Sequence, residues 1–385
     1  MKKTCHRILS GSMLALAVAA MGGCSLFSNE SRFEPVALTE YQQQVSGFTV
    51  WSANIGSGSG YGFAPALVGD SVYAATPDGS VVKASLTNGA IQWKTKLDDA
   101  LAAGVGTDGN IVVVTTTKGK VIALDSSGKM LWSANASTVA STPPAIGGGL
   151  VVVRADDYRV QAFNAQNGEL QWSYLRTNPE MALKANSRML IDGNQVLVGV
   201  PTGRLVSLDL QTGTPRWDIL AATIQGPTDL DSVTDVVGQP LLSGNGLCLA
   251  TYQGRVGCYA ISARGAEPVW NQPFSSAVGV GSAGSSLYAA SVHGEVRAYN
   301  ITNGQELWSD QTLTNRGLTN PVVYGNVVAM GDYEGYVHFY SAADGSLLGR
   351  VSAGSGDAIV SPMTATNIGI LVQNGSGNLV MLGVK

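Results

Sequence analysis

Seven tryptophans at near-regular intervals constrain this chain more than any other feature. Trp51, Trp93, Trp132, Trp172, Trp217, Trp270 and Trp308 follow one another at gaps of 42, 39, 40, 45, 53 and 38 residues. Self-similarity at a period near 40 is the mark of solenoids and propellers. A glycine stands four residues before most of them, at Gly47, Gly89, Gly128, Gly168, Gly213 and Gly304, and five before Trp270, at Gly265. An eighth copy, 344–349, carries Gly349 where the Trp would be. Asp125, Asn164, Asp209, Asn300 and Ser341 open most of these turns. Their short side chains bond to nearby backbone, and Gly supplies the positive φ.

Between the tryptophans a hairpin recurs. Residues 71–76 alternate as a strand, 77–79 (Pro-Asp-Gly) turn, and 80–86 return. The same pattern appears at 111–125, 150–165, 195–209, 246–261, 286–300, 326–341 and 368–382. A shorter strand precedes each, as at 65–68, 143–146, 240–242 and 321–323. Each unit thus has four antiparallel strands, A to D, with the Trp on D. Four-stranded units of about 40 residues predict a β-propeller. There are eight A-B-C sets, but the first D strand, 47–54, precedes all of them, and the last hairpin, 368–382, has no D strand after it. The predicted fold is therefore all-β, an eight-bladed propeller of four-stranded antiparallel blades, closed by the N-terminal strand completing the last blade. Closure leaves no open edge between first and last blades.

Composition agrees. Of 385 residues 48 are Gly, only 13% are charged and 45% are hydrophobic. That excludes a disordered chain. With 23 basic and 27 acidic residues the net charge is −4, and no basic run follows the N-terminus. A nucleic-acid partner is not expected. The N-terminus itself is an address. Lys2, Lys3 and Arg7 precede an apolar stretch, 8–20, too short to span a bilayer comfortably. Met21-Gly22-Gly23-Cys24 then resembles the bacterial lipobox, in which the Cys becomes the lipidated first residue. The division expected is a lipoprotein signal peptide at 1–23, a lipidated tether at 24–46 and one propeller at 47–385. Ser25 after the Cys implies sorting to the outer membrane, with the acyl chains in its inner leaflet. A plain secretory signal, with Cys24 a bystander, is the competing reading.

Cys248 and Cys258 flank a hairpin turn in what would be an exported, oxidising setting. A three-residue loop, 252–254, puts them directly opposite, where a disulfide can form. A two-residue loop puts them on opposite faces and forbids it. There is no C-x-x-C for thiol redox chemistry. Two G-x-G-x-x-G stretches, 104–109 and 279–284, precede B strands rather than helices and so are not dinucleotide cradles. His293 and His338 lie at no metal-ligand or triad spacing. No catalytic residue, metal ligand or cofactor site is expected.

One site does emerge. D–A and B–C loops share one face of a propeller. Most D–A connections take 16–21 residues from the Trp to the next B strand, but those after Trp172 and Trp217 take 23 and 29. They are consecutive, so they should lie side by side. The first carries Arg176, Lys184 and Arg188 against Glu180, and the second Asp218, Asp229, Asp231 and Asp235. Long loops on rigid scaffolds often carry function. The alternative is that they are solvated and pair only with each other, which contributes little.

The spacing in 207–217, Ser-Leu-Asp-Leu-Gln-Thr-Gly-Thr-Pro-Arg-Trp, resembles the PQQ-like repeat. With a lipobox and eight bare blades, the whole chain resembles the BamB family of lipoproteins. That resemblance implies a non-enzymatic scaffold of the outer-membrane β-barrel assembly machinery. It implies binding to the periplasmic POTRA domains of BamA, alongside other subunits, as a monomer within a hetero-complex. The family's L-x-L-R segment corresponds to Met181-Ala182-Leu183-Lys184, and its D-x-D segment to Asp235-Val236-Val237. Leu183 and Asp235 match. Met181 is a soft replacement, Lys184 loses the fork of Arg, and Val237 loses an acid. The implied partner-binding residues are Met181, Leu183, Lys184, Asp231 and Asp235. Asp235 is expected to face the partner and pair with a basic group there. Two other functions compete. A quinoprotein-like periplasmic oxidoreductase would need inserted cofactor loops. A glycan-binding propeller would need an aromatic platform, for which Tyr61, Phe63, Tyr158, Tyr174 and Tyr252 are candidates.

Overall fold

The computed structural model describes residues 34–176, 187–222, 233–262, 265–354 and 356–385. Among these residues thirty-two strands form eight four-stranded antiparallel sheets. Seven are consecutive in the chain: blade 1 runs over 66–96, blade 2 over 101–135, blade 3 over 145–174, blade 4 over 190–220, blade 5 over 236–273, blade 6 over 280–310 and blade 7 over 322–352. Blade 8 takes Thr364–Ala365, Ile370–Gln373 and Asn378–Val384 from the C-terminus and Gly47–Asn54 from the N-terminus. Trp51 pairs with Met381 and Asn54 with Asn378. The Ser46 N–H donates to the Lys385 carbonyl at 2.8 Å, and the Lys385 N–H donates back at 3.1 Å. The eight-bladed propeller and its closure by the N-terminal strand are thus as the repeat predicts.

The core is a ring of eight apolar layers, each shared by two blades. Val72, Ala74 and Val82 of blade 1 meet Leu371, Leu379 and Met381 of blade 8. Val327, Ala329 and Phe339 of blade 7 meet Ile370 and Val372 on the other side of that closing blade. Central strands therefore bury both faces, as in Leu150–Arg154, where every residue is buried. Continuous apolar runs rather than strict alternation follow from this two-sided packing.

The tryptophans lock neighbouring blades together. Each indole lies over the glycine of the next blade's C–D turn: Trp51 on Gly89, Trp132 on Gly168, Trp172 on Gly213, Trp270 on Gly304 and Trp308 on Gly345. In each case a Cβ on the glycine would come within 3 Å of the ring. The Trp132 Nε1–H donates to the Ala165 carbonyl at 2.9 Å, and Trp172 Nε1–H to Leu210 at 2.9 Å. Those glycines have φ near +70° to +75°, which a side chain also disfavours. Trp93 and Trp217 are only half-buried. Trp217 faces Gly265, whose Cβ would stand 3.4 Å from the Trp217 Cβ.

Residues 36–46, expected as part of a tether, lie along blade 7. The Arg316 guanidinium donates to the Val36 carbonyl at 2.9 Å. Arg350 donates to the Thr39 carbonyl at 2.8 Å and stands 4.9 Å over the Tyr41 ring. The N–H groups of Gln44 and Val45 both donate to the Leu348 carbonyl, at 2.8 and 3.1 Å. Leu38 packs on the layer between blades 6 and 7.

Candidate functional site

The two long connections leave the D strands of blades 3 and 4, Leu170–Tyr174 and Pro215–Leu220. Met181, Leu183, Lys184 and Asp231, like Cys24, lie outside the described residues. The described bases of the connections are joined. Arg176 of the first donates to the Asp218 carboxylate of the second at 3.1 Å, and Arg204 of blade 4 binds the same carboxylate. Part of the opposite charge on the two connections is therefore spent between them.

Asp235 is placed differently from expectation. It is only 4% exposed, and its carboxylate accepts from the Tyr158 hydroxyl at 3.5 Å. Its own carbonyl takes the Tyr252 N–H at 2.8 Å. Tyr158 stands in the B–C turn of blade 3 with φ +63°. The guanidinium of Arg154, itself 7% exposed, lies 5.3 Å over the Tyr158 ring and donates to the Gly199 carbonyl of blade 4 at 2.8 Å. Arg154, Tyr158 and Asp235 thus tie blades 3, 4 and 5 together. Burial pulls the Arg154 guanidinium down from its ordinary range, against Tyr158 and Asp235, and pushes the Tyr158 hydroxyl up. Asp235, expected to pair with a basic group on a partner, is thus enclosed and held within the propeller. Arg154 and Tyr158 were not singled out as a pair by sequence. A signal existed: Arg154 ends a B strand where the same register position holds Ala75, Ala250 and Ala290.

Cys248 and Cys258 stand directly opposite across the B and C strands of blade 5 and are joined by a disulfide. The intervening loop is the three residues 252–254, between Gly246–Thr251 and Arg255–Ser262. His338 is wholly buried and its Nε2–H donates to Asp332 at 2.9 Å. Arg316 donates to the same Asp332 at 2.7 Å and also binds Glu334. This cluster fastens blade 7 to residue 36. Among the described residues no group of three or more His, Cys, Asp or Glu could hold a metal ion. Phe63 and Tyr158 are buried at 4% and 9%, so the aromatic candidates form no common platform.

A family profile described as "PQQ_2: Outer membrane protein assembly factor BamB" matches residues 77–309 and 259–385. The chain is 45% identical over 377 residues to "Outer membrane protein assembly factor BamB" of Bordetella pertussis, covering 98% of this chain and 97% of that one. It is 51% identical over 372 residues to the protein of the same name from Taylorella asinigenitalis, covering 96% and 97%. The crystal structure of BamB from Moraxella catarrhalis superposes with a TM-score of 0.80 at 26% identity, over 88% of this chain and 100% of that one. A europium-containing methanol dehydrogenase superposes at 0.69 with 14% identity, over 86% of this chain and 85% of that one, a likeness of fold alone.

Proposed function

The chain belongs to the BamB family of outer membrane protein assembly factors, and from that premise we propose that it is a lipid-anchored scaffold that binds the periplasmic POTRA domains of BamA. It is a non-enzymatic assembly factor. Acylation at Cys24 would hold it to the inner leaflet of the outer membrane, where two or more acyl chains anchor stably. The observation that supports the partner reading is the pair of long connections leaving adjacent blades 3 and 4, where Arg154, Tyr158 and Asp235 tie blades 3, 4 and 5 together. On this reading Leu183 and Met181 form the apolar centre of the interface and Lys184 its charged rim. Apolar anchors at the centre of an interface carry more energy than rim charges. Asp235 acts indirectly, by holding the base of the second connection.

The test is a pull-down from detergent-solubilised membranes, probed for BamA. Recovery of BamA with the wild-type chain and its loss with Leu183→Glu is the expected result. A wild-type chain that brings down no BamA contradicts the reading.

A further inference from the structure

The central channel contains a cavity of about 460 Å³, lined by inner strands of blades 4, 5, 6 and 8 and by the connection entering blade 7. Its walls mix apolar groups such as Val278 and Met363 with the polar side chains of Arg188, Asp192, Gln239 and Asn320. Arg188 is half-buried there. Its guanidinium has no hydrogen bond or ion pair among the described residues. Every other arginine among them has one or the other: Arg154 on Gly199, Arg159 on Asp157, Arg176 and Arg204 on Asp218, Arg216 on Asp209, Arg255 on Asn271, Arg297 on Glu295, Arg316 on Asp332, and Arg350 on Thr39. Burial alone pulls Arg188 down to about 10, so it keeps its charge at neutral pH. A charge partly withdrawn from water without a partner is costly, and an anion beside it lowers that cost.

The backbone around Arg188 is also irregular in a directed way. The A strand of blade 5, Val236–Ser243, slips register between Val237 and Leu241. Gly238 has φ +65°, and a Cβ there would meet the Val278 carbonyl of blade 6 at 2.5 Å. Its carbonyl takes the Arg188 N–H at 2.9 Å. Bulges re-aim side chains and gather beside functional sites. Here the bulge leaves Gln239 exposed between buried Gly238 and Pro240, on the same cavity wall as Arg188.

We propose that this channel cavity is a carboxylate-binding pocket, with Arg188 as the counter-charge and the Gln239 amide as a second donor. The planar guanidinium fork matches a carboxylate. Asp192 on the same lining favours a singly charged group over a dianionic phosphate. Arg188 and Gln239 stand where the chain enters the inner strands of blades 4 and 5 after the two long connections, so an acidic side chain on an extended peptide is the source to test. The proposal rests on the cavity and not on the POTRA reading, which is measured separately.

The probes are acetate and two blocked peptides, acetyl-Gly-Asp-Gly-amide and its Asn counterpart. They are titrated at constant ionic strength into full-length protein carrying ¹⁵N-arginine. The Nε–H resonance missing from Arg188→Gln identifies Arg188. The expected result is a saturable shift of that resonance with the Asp peptide, at least ten-fold smaller with the Asn peptide, while the other resonances stay still. Binding by the peptide ten-fold tighter than by acetate assigns a peptide source, and equal binding assigns a free small anion. Circular dichroism of Arg188→Gln should match wild type. No saturable shift with either carboxylate, or equal shifts from both peptides, overturns the proposal even if BamA binding is intact.

Discussion

The carbonyl oxygen of Val45 fills the place of the missing indole at Gly349: a Cβ on Gly349 would stand 2.5 Å from it. Every other D strand presents its Trp toward a covalent C–D turn of the next blade. Blade 7 is followed by the closing blade, whose C and D strands come from opposite chain ends and have no such turn. The incoming segment 44–46 lies there instead, held by the Leu348 carbonyl. The absent Trp and the broken turn are one feature. Gly349→Trp should therefore destabilise, by roughly 1–3 kcal/mol or more through overpacking, instead of restoring a lock. A raised thermal midpoint would show that segment 44–46 does not pass there.

The interlocks are unequal. Trp132→Ala removes a buried indole and its bond to Ala165, and should cost about 3–5 kcal/mol. Trp217→Ala removes a half-buried ring set over the wider Gly265 and should cost less than half as much. The midpoint of the first denaturant transition checks both, and equal losses would refute the distinction.

Much of this was legible in sequence, for a physical reason. The Trp and Gly of each repeat belong to contacts between neighbouring blades, so one ring contact was printed seven times along the chain. Spare and missing strands at the ends then dictated closure. Counting reduced the Cys248–Cys258 pairing to the length of one turn, and the three-residue turn at 252–254 decides it. The candidate site was less legible. Asp235 looks exposed in a long polar loop, because its burial depends on Arg154 and Tyr158, some eighty residues earlier and two blades away. Segment 36–46 likewise has no periodicity to betray its docking on Leu348, Arg316 and Arg350.

Asp235→Asn should cost about 1–3 kcal/mol, through loss of the negative charge beside Arg154. Asp235→Arg should cost about 3–5 kcal/mol, because it sets two cations together in a buried site. Thermal melts decide this. An unchanged midpoint for Asp235→Arg would return that residue to the exposed surface.

His338 gives a pH dependence. Burial holds its pKa below the ordinary histidine value, with Arg316 already neutralising Asp332. The unfolded chain takes up a proton near pH 6.5 that the folded one resists, so stability should fall as pH drops below that value. The slope is at most about 1.4 kcal/mol per pH unit. Asp332, despite burial, is held below its ordinary range by His338 and the Tyr336 N–H, and adds a further loss as pH falls below about 4. His338→Asn should flatten the slope between pH 6.5 and 5. An unchanged slope would show that His338 charges freely in the fold.

The most direct test of the scaffold reading is calorimetric titration of the acyl-free chain with purified BamA POTRA domains. Wild type should bind saturably at one to one. Leu183→Glu should weaken binding at least ten-fold, and more than Lys184→Ala does, with the β spectrum and melting midpoint of both variants unchanged. Wild-type affinity in folded Leu183→Glu and Lys184→Ala would contradict the account and move the partner site to the opposite face of the propeller.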